Sequence, residues 1–256
     1  MSHPRLPRSF ITTPLAHRAL HDVTDGRPEN SRAAIRAAIA AGYGIEIDVQ
    51  LSRDGAAMVF HDYALERLAH GKGAVRLLDA DALRATPLRG GDEGIPDLDE
   101  ILQIVAGQVP LVVELKDQDG GMGPDVGPLE HATAAALDGY RGDIAVMSFN
   151  PHSVAMMQQL SPQIARGITT SSYKPEDWPL TERRCAELRE IPDYDRVGAS
   201  FISHEVDDLD RPRVAALKGA GADVCCWTVR SAAQEAVARK VADTITFEGY
   251  LAALRA

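Results

Sequence analysis

The sequence predicts an α/β fold, a single-domain (β/α)8 TIM barrel, on three observations. Short β-branched or apolar runs alternate with longer Ala-rich segments of 3.6-residue period, the pattern of parallel strands joined by crossover helices. About eight such runs occur, the count at which a parallel sheet closes on itself. The length of 256 residues suits one barrel of about 250 residues, and neither an internal repeat nor a separating linker divides it.

In chain order the candidate strands are Leu15 to Ala19, Gly44 to Leu51, Pro110 to Lys116, Ile144 to Phe149, Ile164 to Thr169, Val197 to Ser203, Ala222 to Val229 and Asp243 to Phe247. The helix at Ser31 to Ala41 places Ile35 and Ile39 on one face, with Asn30 or Ser31 as N-cap and Gly42 as the stop. Further helices read at Leu98 to Ala106, Leu129 to Leu137, Pro151 to Leu160, Arg211 to Lys218 and Ala232 to Lys240. Ala56 to His61 is an extra strand-like run, joined to the one before it by the turn Ser52-Arg53-Asp54-Gly55. That makes nine candidate strands for eight barrel places. Gly90 to Pro96 and Asp117 to Pro128 read as loops, and the second directly follows a strand end, where barrel enzymes carry their sites.

With 27 Lys plus Arg against 37 Asp plus Glu, the formal charge of −10 repels phosphate backbones. This disfavours a broad nucleic-acid-binding surface and leaves room for a local basic pocket that takes one small anion. Three cysteines, Cys185 and the neighbours Cys225 and Cys226, make no disulfide framework, which points to a reducing compartment. Met1 to Thr13 carries no apolar run of signal-peptide length, and no stretch approaches the ~20 apolar residues of a membrane span. The expectation is a cytoplasmic protein without stable membrane association.

The chemistry begins at Gly44-Ile45-Glu46-Ile47-Asp48-Val49-Gln50. Alternate strand residues share a face, so Glu46 and Asp48 project together, opposite Ile45, Ile47 and Val49. Inside a barrel, two such carboxylates need a cation or protons; on an exposed edge strand they would be solvated. Leu111 to Lys116 is apolar until Glu114 and Lys116, which share a face near the strand's C-terminal end. Three carboxylates from two strands suit Mg²⁺ or Ca²⁺ better than zinc, and Lys116 reads as an anion ligand, or as the partner of Glu114 in a surface pair. His17 and His61 end strands, and two imidazoles can divide general acid and base duties. His3, His21, His70, His131, His152 and His204 are assigned surface or structural places.

The set Ala16-His17-Arg18, Pro28-Glu29-Asn30-Ser31, Glu46 to Gly55, Val59-Phe60-His61-Asp62 and Val113-Glu114-Leu115-Lys116 resembles the glycerophosphodiester phosphodiesterase family in order and spacing. Ile95-Pro96-Asp97-Leu98, Ser148-Phe149-Asn150-Pro151 and Trp227-Thr228-Val229 resemble its later, less specific blocks. The resemblance implies one barrel domain over residues 1–256 that hydrolyses small glycerophosphodiesters to glycerol 3-phosphate and an alcohol. It further implies a divalent metal on Glu46, Asp48 and Glu114, His17 and His61 as the acid/base pair, and Arg18 and Lys116 on the phosphoryl oxygens. Glu29 and Asn30 would stand behind these or at the rim. Trp227, late in its strand on the face opposite Cys226 and Thr228, reads either as an apolar wall for the substrate or as core, and Phe149 is a weaker candidate of the same kind. A cyclic phosphate formed by the glycerol 2-hydroxyl and direct attack by water are both compatible with these residues.

Two departures stand out. Ala19 occupies the place of a glycine, which is expected to bar positive φ there. Phe247-Glu248-Gly249-Tyr250 replaces a Thr-Asp-x-Pro block, with Glu248 a stand-in for the aspartate if the register holds. The rivals are a lyso-lipid phosphodiesterase of the same barrel and a non-catalytic phosphate-binding barrel. Serine-hydrolase and P-loop chemistry are excluded by the lack of their motifs.

Overall fold

The computed structural model describes residues 4–254. Eight parallel strands close into a barrel: β1 (Leu15–Ala16), β2 (Gly44–Leu51), β4 (Leu111–Leu115), β5 (Ile144–Ser148), β6 (Ala165–Thr170), β7 (Phe201–Glu205), β8 (Asp223–Val229) and β9 (Thr244–Phe247). Closure comes from β1, which pairs with β2 on one side and β9 on the other. The ninth candidate, β3 (Ala57–Val59), runs antiparallel to β2, pairing Val49 with Val59 and Leu51 with Ala57. It therefore forms a hairpin outside the barrel, because a turn as short as Ser52–Gly55 can only reverse the chain.

The expected helices appear as α2 (Arg32–Ala41), α4 (Leu98–Val105), α5 (Pro128–Leu137), α6 (Pro151–Leu160), α8 (Pro212–Gly219) and α9 (Ala232–Ala238). Ser31, not Asn30, caps α2: its Oγ accepts from the Ala34 N–H at 3.1 Å. Three short helices escape the sequence reading: α1 (Arg8–Thr12), α3 (Ala80–Arg84) and α7 (Glu182–Arg189). α1 and α3, of five residues each, are too short for 3.6-residue periodicity to register, and α7 is mostly charged and buries only Cys185 and Leu188, so it shows almost no apolar stripe. The strand expected at Val197 begins instead at Phe201; Val197 and Ala199 are buried in the preceding turn, so their apolar character reflects packing and not strand pairing.

One large apolar layer lies between barrel and helices, built from the outward residues of the strands, among them Ile45, Ile47, Val113, Ile202 and Ile245. The inward residues Leu15, Val112, Ala145, Met147, Ala165, Phe201 and Cys225 fill the lower barrel, and Leu6 and Phe10 seal its end. Polar and charged inward residues are thereby left to the C-terminal mouth. Gly167 makes room for Phe201 in that plug, since a Cβ there would lie 2.3 Å from the ring. Gly167→Ala is expected to cost about 1–3 kcal/mol by overpacking, read as a lower melting temperature in thermal unfolding.

Candidate active site

Strand pairing assembles the acidic group. Parallel register sets Asp48 opposite Glu114, and Glu46 lies one inward step below Asp48 on β2. One oxygen from each of Glu46, Asp48 and Glu114 lies within 4.8 Å of the others, and the side chains are buried. Lys116 Nζ sits 2.6 Å from Asp48 Oδ1 and 2.6 Å from Glu114 Oε1. Asn30 Nδ2 donates to Asp48 Oδ2 at 2.9 Å, and Arg18 Nε lies 3.7 Å from the same oxygen. Burial would raise the Asp48 carboxyl, but Lys116, His61 and Arg18 hold it well below the usual carboxylate range.

Glu46 is placed differently. It accepts the Arg18 backbone N–H at 2.8 Å, yet among the described residues no side-chain cation forms an ion pair with it. Burial, then repulsion from Asp48 and Glu114, pushes its carboxyl well above the ordinary value. Three converging carboxylates with fewer local cations than charges form an all-oxygen donor set that can hold a divalent cation of the Mg²⁺ or Ca²⁺ type.

The two imidazoles flank this set, each backed by a carboxylate that an arginine holds. His17 Nδ1 lies 2.5 Å from Glu248 Oε2, and Arg230 Nε donates to Glu248 Oε1 at 2.9 Å. His61 Nδ1 lies 2.7 Å from Asp62 Oδ1, and Arg67 donates to Asp62 through Nε and Nη2 at 2.7 and 2.6 Å. The bond from His17, with the nearby His21 imidazole and the charge of Arg230, holds Glu248 far below its usual range; Asp62 is held low by His61 and Arg67 against the desolvation of partial burial. Both acids are therefore ionised acceptors, each imidazole donates from Nδ1, and Nε2 is left for chemistry. Burial lowers the His17 pKa despite the opposing bond to Glu248. A cavity of about 140 Å³ is lined by His17, Arg18, Glu46, His61, Glu114 and Lys116.

The remaining expected residues fall around this cavity. Glu29 accepts from Arg18 Nη1 at 2.7 Å and pairs with Arg67, tying the two histidine-bearing loops together. Asn30, freed from capping, holds Asp48 by its side chain. Trp227 and Phe149 wall the cavity, and Trp227 Nε1 donates to the Ser203 carbonyl at 2.9 Å. The expectation for Ala19 is corrected: Arg18 and Ala19 both adopt left-handed backbone, at φ 51° and 65°. Their N–H groups bond Glu46 Oε2 and the Glu46 carbonyl at 2.8 and 3.0 Å, which offsets the ~1–2 kcal/mol per residue that this conformation costs.

His21 keeps its surface or structural place: its Nε2 lies 3.7 Å from Glu248, and it lines a separate cavity with Asp22 and Val23. His204 is structural, buried against Thr170 Oγ1 at 2.7 Å and Asp208, while His3 lies outside the described residues. The sequence reading missed Arg67, Arg230, Tyr63, Met122, Asp117 and Trp178, all of which reach the site from loops. No periodicity or spacing marks such residues; only the strand ends they follow hint at them.

Residues 17–245 match the glycerophosphoryl diester phosphodiesterase family model. A Bacillus subtilis protein named as a candidate glycerophosphodiester phosphodiesterase is 26% identical over 215 residues, 80% of this chain and 82% of that protein. A glycerophosphodiester phosphodiesterase of Caldanaerobacter subterraneus is 28% identical over 166 residues, 61% of this chain and 67% of that one. Among solved structures, an Oleispira antarctica phosphodiesterase bound to its product sn-glycerol-3-phosphate superposes with TM-score 0.76, at 23% identity and 94% coverage of both chains. The barrel is shared with these structures, and by the family match over most of its length the chain belongs to the glycerophosphoryl diester phosphodiesterase family.

Proposed function

We propose that the protein hydrolyses small glycerophosphodiesters to glycerol 3-phosphate and an alcohol, with His17 and His61 moving the protons. The observation that carries this reading is the convergence, in one cavity at the barrel's C-terminal mouth, of three buried carboxylates with two carboxylate-backed imidazoles. A site that only bound phosphate would need neither imidazole oriented in this way.

Glu46, Asp48 and Glu114 would hold a divalent cation, Mg²⁺ or Ca²⁺, which when bound polarises a phosphoryl oxygen and offsets its charge. Arg18 and Lys116 supply fixed positive charge to the phosphoryl oxygens. Neutral His17, its pKa lowered by burial, accepts the proton of the attacking hydroxyl at Nε2. His61 lines both the inner cavity and a wider one beside it, whereas His17 lines the inner one alone. The leaving alcohol accordingly departs past His61, whose Nε2 gives it a proton. Asn30 and Glu29 keep Asp48 and Arg18 in place.

The test is release of glycerol 3-phosphate from a panel of glycerophosphodiesters, measured before and after chelation. Activity that chelator abolishes and Mg²⁺ or Ca²⁺ restores is expected; no glycerol 3-phosphate from any ester under any metal sinks the reading. A further expectation concerns Glu248→Gln. Glu248 raises the His17 pKa, so its removal lets the neutral imidazole persist to lower pH, and the acid limb of the kcat/KM profile moves down. Loss of orientation should also lower kcat by about 10- to 100-fold, as removal of outer partners of active-site histidines does.

A further inference from the structure

The two imidazoles are carried differently. His17 follows β1, a strand of the closed barrel, whereas His61 follows β3, the hairpin strand outside it. Bonds to β2 fix the chain at His61: the Phe60 N–H donates to the Asp48 carbonyl at 3.0 Å, and Gln50 Nε2 donates to the His61 carbonyl at 3.1 Å. The His61 ring, among the described residues, is hydrogen-bonded by Asp62 alone. Arg67 grips both oxygens of Asp62 and also reaches Glu29, Nη1 to Oε2 at 3.2 Å and Nη2 to Oε1 at 3.3 Å. Glu29 Oε1 in turn accepts from Arg18 Nη1 at 2.7 Å. A chain of alternating charge thus runs from Arg18 through Glu29, Arg67 and Asp62 to the His61 imidazolium. Arg18 Nε, buried 3.7 Å from Asp48 Oδ2, has no hydrogen-bond partner among the described residues.

We propose that Arg67 is a positioning residue for the reaction, its one guanidinium fixing both the imidazole that serves the leaving group and the arginine that serves the phosphoryl oxygens. The inference rests on the phosphodiesterase reading above and deepens it. An exposed ion pair ordinarily contributes little, and Arg67 is 51% exposed. Its partners Glu29 and Asp62, however, are only 14% and 23% exposed, and a bidentate fork fixes direction as well as charge. Asp62 orients the His61 ring by accepting from Nδ1, and it can do so only while it is itself held. On the other branch, Glu29 divides its charge between two guanidinium groups. Without Arg67 the whole attraction of Glu29 falls on Arg18, which is drawn toward Glu29 and away from the phosphoryl oxygens. Lysine is no substitute, because a compact ammonium lacks the planar fork that holds two carboxylates at once.

The experiment measures kcat and KM of Arg67→Met and Arg67→Lys, both at a half-exposed position that the fold tolerates. The substrates are glycerophosphocholine and a glycerol p-nitrophenyl diester, whose phenolate leaves without a proton. On the choline ester Arg67→Met is expected to lose about 10- to 100-fold in kcat, as when outer partners of active-site histidines are removed. KM should rise about 2- to 10-fold, because Arg18 is no longer held ready for the phosphate. On the nitrophenyl ester the kcat loss should nearly vanish while the rise in KM stays, and Arg67→Lys should follow Arg67→Met. A purely structural role would lower kcat for both esters alike, and a direct contact with the substrate would raise KM alone and let lysine restore it. Either result overturns the inference while leaving the phosphodiesterase reading intact. Nuclear magnetic resonance of nitrogen-labelled histidine reads the bridge without turnover: the His61 Nδ1 proton should give a slowly exchanging downfield signal that Arg67→Met loses. That loss in a protein that cleaves no ester supports the hold of Arg67 on His61 and sinks the phosphodiesterase reading alone. A signal unchanged in Arg67→Met overturns the inference.

Discussion

Glu46→Gln is expected to lower kcat/KM by about 10³-fold, several kcal/mol of transition-state stabilisation, and yet to raise the melting temperature measured in chelator. The two signs have one cause. Glu46 is buried beside two other carboxylates and, among the described residues, pairs with no cation. Its folded-state pKa is raised, so above the ordinary carboxylate pKa the folded protein holds more protons than the unfolded chain, and the group subtracts stability as pH rises. An amide of the same shape keeps the bond from the Arg18 N–H and removes the repulsion, but it is a poor ligand for a hard cation. Divalent cation should raise the melting temperature of the parent protein more than that of the variant. Asp48→Asn should behave oppositely in chelator, destabilising the fold, because Asp48 is paired with Lys116 and bonded by Asn30. Thermal unfolding of both variants with and without Mg²⁺, beside their turnover, checks this; a fully active Glu46→Gln enzyme would refute the metal assignment.

His17→Ala and His61→Ala are each expected to lower kcat by about 10²–10⁴-fold with little change in KM, but only one of the losses should be repaired by a better leaving group. If His61 protonates the departing alkoxide, a glycerol p-nitrophenyl diester, whose phenolate leaves unprotonated, should recover most of the His61→Ala deficit. If His17 acts on the attacking hydroxyl, its loss should be indifferent to the leaving group. In the pH profile, the acid limb of kcat/KM is expected to belong to His17, whose pKa burial lowers. Rescue of His17→Ala and not of His61→Ala would reverse the two roles; rescue of neither would remove His61 from the proton transfer.

How far these assignments were legible differs from residue to residue. Glu46 and Asp48 were legible because strand pleat has a strict period of two, and an apolar partner face leaves one direction for the acids. Glu114 was legible as the first charge in an otherwise apolar strand. Glu248 carried no such mark. Its part depends on β9 closing against β1, 231 residues away in sequence from the imidazole it holds. Trp178 and Met122 reach the pocket from irregular segments that no periodicity describes, and Ala19 takes a left-handed turn because Glu46 supplies acceptors for the N–H groups aimed at it. The sequence by itself determined the barrel, the acids on its strands and the histidines at their ends, since those follow from local period and polarity. Only the tertiary structure decided which carboxylate lacks a cation among the described residues, which carboxylate backs each imidazole and which rings line the cavity. Those are matters of distance between elements far apart in the chain, and burial acts on them through charge pairing that no single segment encodes.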